Sequence, residues 1–142
     1  MNDKTEKRID QLAKMTEGQL FKLSAIFPFD FFPNKIFIEQ KQIIIIYSKF
    51  LSSKNQHILI EDILSPVVES GLFFSTLRFE LGAGGFMQNP PPVQFLNKKD
   101  ATRAKRIIIG LLICHKEKID LSNMTTQAII EKVEEIGRVK RD

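Results

Sequence analysis

Hydrophobic and polar residues alternate most regularly between residues 74 and 81. One side of an extended chain would carry Ser75, Leu77, Phe79 and Leu81, and the other Phe74, Thr76, Arg78 and Glu80. A period of two is typical of a β-strand that buries one face. The short apolar run 58–60 precedes this segment and predicts another strand. We therefore expect the middle of the chain to form antiparallel sheet.

Further strand patterns lie on both sides of this segment. The sequence predicts strands over residues 35–39, 42–50, 57–63, 67–69, 73–81 and 93–96. Residues 43–46 are four consecutive isoleucines, which favour a strand buried on both faces. The polar residues 51–56 and the glycine- and proline-rich residues 82–92 predict loops.

Helical periodicity appears near both ends of the chain. Residues 97–115 predict a helix that begins at Asn97, a good capping residue, and closes the sheet with an apolar stripe. The apolar-to-neutral stripe comprises Ala101, Ala104, Ile108, Leu111, Leu112 and His115. A second helix is predicted over residues 126–136. Residues 5–26 also show helical spacing and predict an N-terminal helix.

A segment rich in phenylalanine and proline follows this predicted helix at residues 27–33. Its two prolines end the helix. We expect its phenylalanines to be buried and to hold the N-terminal helix on the domain. In the alternative interpretation, Phe29, Phe31 and Phe32 form an exposed wedge for a membrane or a partner.

Composition limits the class of protein. The 142 residues suit one compact domain with extensions, and a hydrophobic content of 43% is enough for a core. The single cysteine excludes an internal disulfide. The polar N-terminus does not resemble a signal peptide, and no apolar run approaches the about 20 residues of a membrane span. We expect a cytoplasmic protein without a transmembrane segment.

Residues that could carry catalysis are few and poorly placed. Cys114, His57 and His115 are too few for a zinc site, and Cys114 lies in an apolar run where a thiol is usually inert. The glycine-rich residues 82–85 lack the lysine and hydroxyl of a phosphate-binding loop. We expect no enzyme activity, no metal and no cofactor.

The predicted closing helix is the main electrostatic feature. Residues 98–118 contain seven lysines or arginines and two acidic residues. The candidate anion- or partner-binding residues on it are Lys98, Lys99, Arg103, Lys105 and Arg106.

Antiparallel strands followed by a closing helix resemble the bacterial pleckstrin-homology-like (PH-like) domain. The resemblance rests on residues 58–63, 77–79 and 93–96, and on residues 98–101 at the start of the helix. It implies an α+β fold, an antiparallel β-barrel or sandwich closed by an amphipathic helix, with added N- and C-terminal helices. The implied division is 1–33 for the N-terminal helix and phenylalanine segment, 34–118 for the PH-like domain, and 119–142 for the C-terminal helix and basic tail.

The lack of a catalytic constellation in the sequence, together with the resemblance, indicates a function in binding. The leading interpretation is a non-catalytic binding module that recognises a protein or peptide. The alternatives are a nucleic-acid-binding accessory protein that uses the basic helix and a peripheral membrane-binding protein. Phosphoinositide-binding members carry several basic residues around the first hairpin and a basic-x-Arg pair on the strand after it, whereas the predicted hairpin 39–42 contains one lysine, Lys41, and the next strand continues with isoleucines. Because residues 120–142 lie outside the resemblance, we expect their removal to have little effect on folding.

Overall fold

Seven β-strands and two α-helices make up the part of the chain that the computed structural model describes, which is Asp3 with residues 19–82 and 88–139. The elements are β1 (Gln19–Ser24), β2 (Lys35–Glu39), β3 (Gln42–Lys49), β4 (Ser52–Leu59), a 3-10 turn (Ile60–Asp62), β5 (Ile63–Ser70), β6 (Ser75–Leu81), β7 (Val93–Leu96), α1 (Lys98–Lys116) and α2 (Thr126–Val139).

The first sheet contains β1 to β4 in sequence order, and all its neighbours are antiparallel. Its buried face is lined by Ile36, Ile38, Ile43 and Ile45, all fully buried. The other isoleucines of β3, residues 44 and 46, are half-buried. The run of four isoleucines therefore buries only one face completely, because the other face of the sheet is only partly covered.

The second sheet contains β5, β6 and β7, also antiparallel. Leu77 and Phe79 are buried on the face that the alternating pattern predicts. Pro66 lies in β5, which is an edge strand of this sheet. Proline is tolerated in edge strands because one side of the strand has no partner that needs its N–H.

The strands do not close into a barrel within the described residues, where they form one four-stranded and one three-stranded sheet. The expectation of a closed barrel is therefore corrected. The 3-10 turn at residues 60–62 separates β4 from β5, so the chain leaves the first sheet before it begins the second. The α+β class and the antiparallel strands are as the sequence predicts.

Helix α1 packs against both sheets. Asn97 caps it, with Oδ1 accepting hydrogen bonds from the backbone N–H groups of Lys99 and Asp100 at 2.9 and 3.3 Å. The predicted small residues Ala101 and Ala104 are fully buried. Leu112 is only partly buried. The buried residues that complete the face include Ile107, Ile108 and Leu111.

Helix α2 packs along α1 and shares its core. Ile129 and Val133 are buried in the same cluster as the strands. An added Cβ at Gly110 of α1 would lie 1.9 Å from the carbonyl oxygen of Val133, and one at Gly137 would lie 2.0 Å from that of Arg106. Two glycines, one on each helix, thus allow the backbones to touch. The C-terminal helix is part of the hydrophobic core.

Three sequence-based assignments are wrong within the described residues. Residues 60–62, predicted within a strand over 57–63, form the 3-10 turn between β4 and β5. Residues 19–24 form strand β1, where a helix was predicted, while residues 5–18 of that helix lie outside the described residues. A bulge between Gln19 and Phe21 places Leu20 and Leu23, three residues apart, both in the core, so the spacing imitates a helix. Residues 52–56, predicted as loop, belong to β4. This edge strand is exposed over most of its length and lacks an apolar face there.

Candidate functional site

Large apolar side chains are exposed in three connections between strands. We call this set the apolar end. It contains Phe27, Phe29, Phe31 and Phe32 between β1 and β2, Phe50 and Leu51 between β3 and β4, and Leu72 and Phe73 between β5 and β6. The exposed fraction ranges from 42% for Phe32 to 89% for Leu51. Water-exposed apolar groups of this size are unfavourable unless they contact something else.

Ring contacts join these connections into one surface. Phe32 lies against Phe50, with ring centroids 5.9 Å apart. Phe29 lies against Phe74 at 4.8 Å, and Phe74 in turn contacts Phe95 at 5.8 Å. The apolar end is therefore continuous across both sheets.

The structure contradicts our expectation that the phenylalanines of residues 27–33 are buried. Phe31, for example, is 74% exposed. The segment forms its own compact turn, in which Asp30 Oδ1 accepts a hydrogen bond from the backbone N–H of Phe32 at 3.1 Å. The rings of Phe27 and Phe31 pack edge to face on each other at 6.5 Å. The core beneath is already filled by residues of the sheets, so these rings stay outside.

Leu51 has an unusual backbone as well as an exposed side chain. Its φ angle is 63°, in the left-handed region that glycine or asparagine adopts more easily. A leucine there costs about 1 kcal/mol or more relative to glycine. Because the side chain is 89% exposed, burial within the protein does not offset this cost. Burial of the side chain therefore does not explain the presence of leucine at this position.

Three exposed lysines lie next to the apolar end. Lys35 begins β2, Lys49 ends β3, and Lys54 lies opposite Tyr47 in β4. The ion pairs between described residues do not involve these lysines. Asp30 is the acidic residue of the phenylalanine loop. Around the first two connections, the three lysines therefore outnumber the acidic Asp30.

The predicted basic residues of α1 differ in exposure and in pairing. Lys98 and Lys99 are exposed near the helix start. Arg103 donates from Nε and Nη2 to the carboxylate of Glu134 on α2, at 3.0 and 3.3 Å, and its guanidinium carbon lies 5.1 Å from the ring centre of Phe21. Arg103 is thus engaged in the contact between the helices.

The remaining two basic residues are half-buried. Arg106 Nε is buried without a hydrogen-bond partner among the described residues. It lines an open cleft of about 440 Å³ with Lys98, Lys99, Thr102, Arg103 and Glu134. Lys105 is not among the residues that line this cleft. The structure therefore brings four of the five predicted basic residues together, with one carboxylate between them.

Other chemically capable groups are isolated. Burial raises the pKa of the Cys114 thiol, which reduces the fraction of reactive thiolate. His115 Nε2 lies 3.6 Å from Glu61 Oε2 on the surface. The described residues contain no group of three or more His, Cys, Asp or Glu side chains placed to hold a metal ion. None of their helices is long and apolar enough to span a membrane.

Sequence reasoning identified Phe29, Phe31 and Phe32 as an alternative wedge but missed the rest of the apolar end. The missed residues are Phe27, Phe50, Leu51, Leu72 and Phe73. The available signal was their position in tight connections, where polar residues or glycine are usual. Their convergence depends on the pairing of strands that are distant in sequence.

No protein-family profile and no curated protein matches this chain. The chain is similar in structure to a DUF1696 family protein with a pleckstrin-homology domain from Shewanella loihica. The TM-score is 0.50 and the sequence identity is 14%, over 75% of this chain and 95% of that chain. The chain therefore has a PH-like fold, as the sequence predicts, built in its described part from two antiparallel sheets and two helices.

Proposed function

We propose that this protein is a non-catalytic binding module that contacts its partner through the apolar end. The observation that carries this proposal is the exposure of eight large apolar side chains on three connections that touch one another. Exposed apolar patches of this kind mark protein or membrane contact sites. The most exposed of these side chains are Leu51 at 89%, Leu72 at 84%, Phe73 at 75% and Phe31 at 74%.

The nucleic-acid alternative has weaker support from the geometry. It requires the basic side chains of α1 to be free to meet phosphates. Arg103 is instead held by Glu134, and Arg106 is half-buried beside α2. Arg103 is exposed but paired, and Lys98 and Lys99 are the exposed predicted cations outside the ion pairs between described residues. Two unpaired lysines are few for binding a nucleic-acid backbone, which usually contacts several basic residues.

Site-specific photo-crosslinking in the native cell tests the proposal. A photoreactive phenylalanine analogue at position 31 should form adducts with a partner molecule, which mass spectrometry would identify as protein or lipid. The matched control is the same analogue at Leu64, which is 68% exposed and lies at the other end of β5 from the connection between β5 and β6. Equal labelling at both positions, or none at position 31, would refute the proposal.

A further inference from the structure

We propose that the apolar end docks on an anionic lipid bilayer. Its phenylalanine and leucine tips enter the boundary between headgroups and acyl chains, while Lys35, Lys49 and Lys54 meet the lipid phosphates. This inference rests on the proposed binding function and names the partner of that same surface.

The order of apolar and basic residues along the strands fits a partner that has an apolar layer next to a layer of negative charge. Phe50 and Leu51 form the tip of the connection between β3 and β4, with Lys49 directly behind the tip on one strand and Lys54 on the other. At about 3.3 Å per residue, Lys54 lies roughly 10 Å from the tip along the strand. Lysine side chains can extend toward a headgroup plane from such positions.

The same order recurs in the connection between β1 and β2. Its phenylalanines at 27–32 are exposed, and Lys35 follows at the first residue of β2. In both connections the apolar residues come first and the positive charge is set back toward the domain. A bilayer has this arrangement, with hydrocarbon beneath a plane of phosphates.

The charge of this end fits an anionic partner. Asp30, which accepts a backbone hydrogen bond from Phe32, adds one negative charge to the first connection. Near the third connection, Arg78 pairs with both Glu69 and Glu80, at 3.0 and 3.1 Å, and this group carries one net negative charge. The positive charge therefore lies at the first two connections, where the three lysines outnumber Asp30. A surface with lipid phosphates attracts such basic residues.

Single-tryptophan fluorescence of the full chain tests the inference directly, because the natural sequence contains no tryptophan. Phe31→Trp places the probe at the apolar end, and Leu64→Trp places a control at a comparably exposed position elsewhere. With vesicles of equal parts phosphatidylcholine and phosphatidylglycerol, emission from the Phe31→Trp protein should shift to the blue. Emission from the Leu64→Trp protein should not change.

Charge dependence completes the test. Adding Lys49→Gln and Lys54→Gln to the Phe31→Trp protein should weaken vesicle binding more than about tenfold, at roughly fivefold for each lysine. The Phe31→Trp protein should bind vesicles of phosphatidylcholine alone more weakly than the mixed vesicles, by a similar factor. No blue shift, an equal shift at both tryptophan positions, or equal binding to both vesicle types would overturn the bilayer inference.

The two proposals can fail separately. If photo-crosslinking at position 31 captures a protein and the vesicles cause no shift, the bilayer inference is refuted. The proposal that the apolar end binds a partner is then still supported. If neither experiment gives a signal at position 31, both proposals fall.

Discussion

Phe31 and Phe79 illustrate, at the scale of single residues, how location decides what a phenylalanine does. Phe79 is buried in the core and Phe31 is 74% exposed. Phe79→Ala should therefore cost about 3–5 kcal/mol in unfolding free energy. Phe31→Ala should change it by no more than about 0.5 kcal/mol. Urea denaturation measures both, and a loss above about 2 kcal/mol for Phe31→Ala would restore the expectation of a buried phenylalanine segment.

Tyr47 offers a pH measurement at the same scale. Burial raises its pKa from 10.0 to about 12, and its hydroxyl donates to the carbonyl oxygen of Pro91 at 2.7 Å. The neutral form is favoured in the folded state, so its contribution to stability is complete below pH 10 and is lost as the pH rises toward 12.

The tyrosinate absorbance of the folded protein should accordingly have its midpoint near pH 12, against about 10 in urea-unfolded protein. Tyr47 is the chain's only tyrosine, so the signal has a single source. Coincident midpoints in the folded and unfolded states would contradict the burial of this hydroxyl.

At the scale of elements, the contact between α1 and α2 depends on Gly110. A methyl group there would meet the backbone of Val133 at 1.9 Å. Although alanine is usually better than glycine in a helix by about 1 kcal/mol, Gly110→Ala should destabilise the protein by about 1–3 kcal/mol. Lys132→Ala, at an exposed position on α2, is the control and should have little effect on thermal unfolding. Increased stability of Gly110→Ala would mean that the helices do not cross this closely.

The second element-scale prediction revises our expectation for the C-terminal residues. Because Ile129 and Val133 belong to the common core, deleting residues 121–142 should destabilise the chain more than Leu111→Ala. That single change should itself cost about 2–5 kcal/mol. Circular dichroism during urea unfolding compares the two variants. A truncated chain as stable as the full one would show that α2 is dispensable.

Sequence patterns predicted some elements well and others poorly for physical reasons. The bounds of β2 and β7 agree with prediction, and α1 begins after the predicted cap Asn97. Regular alternation and capping chemistry are local signals. Strand β1 was missed because its bulge produces helical spacing, and β4 because an exposed edge strand has little apolar pattern.

At the scale of the whole molecule, apolar exposure is concentrated on one set of connections. Ring contacts between Phe32 and Phe50, and between Phe29 and Phe74, bring together residues up to 45 positions apart. Such convergence depends on the pairing of sheets, which the sequence does not display locally. The sequence could therefore propose Phe29, Phe31 and Phe32 as a wedge, but the full surface required the fold.

The apolar end is proposed to dock on an anionic bilayer and to contribute little to folding. Vesicle co-sedimentation of the wild type and a Phe31→Ser, Leu51→Gly double variant tests it most directly. The glycine suits the φ of 63° at position 51, so thermal unfolding should be nearly unchanged and serves as the control.

Under this proposal, the double variant should bind vesicles of phosphatidylcholine and phosphatidylglycerol at least about tenfold more weakly than the wild type, since each apolar side chain contributes about 1.5–3 kcal/mol when fully buried. A folded double variant that pelleted with these vesicles as well as the wild type would contradict it.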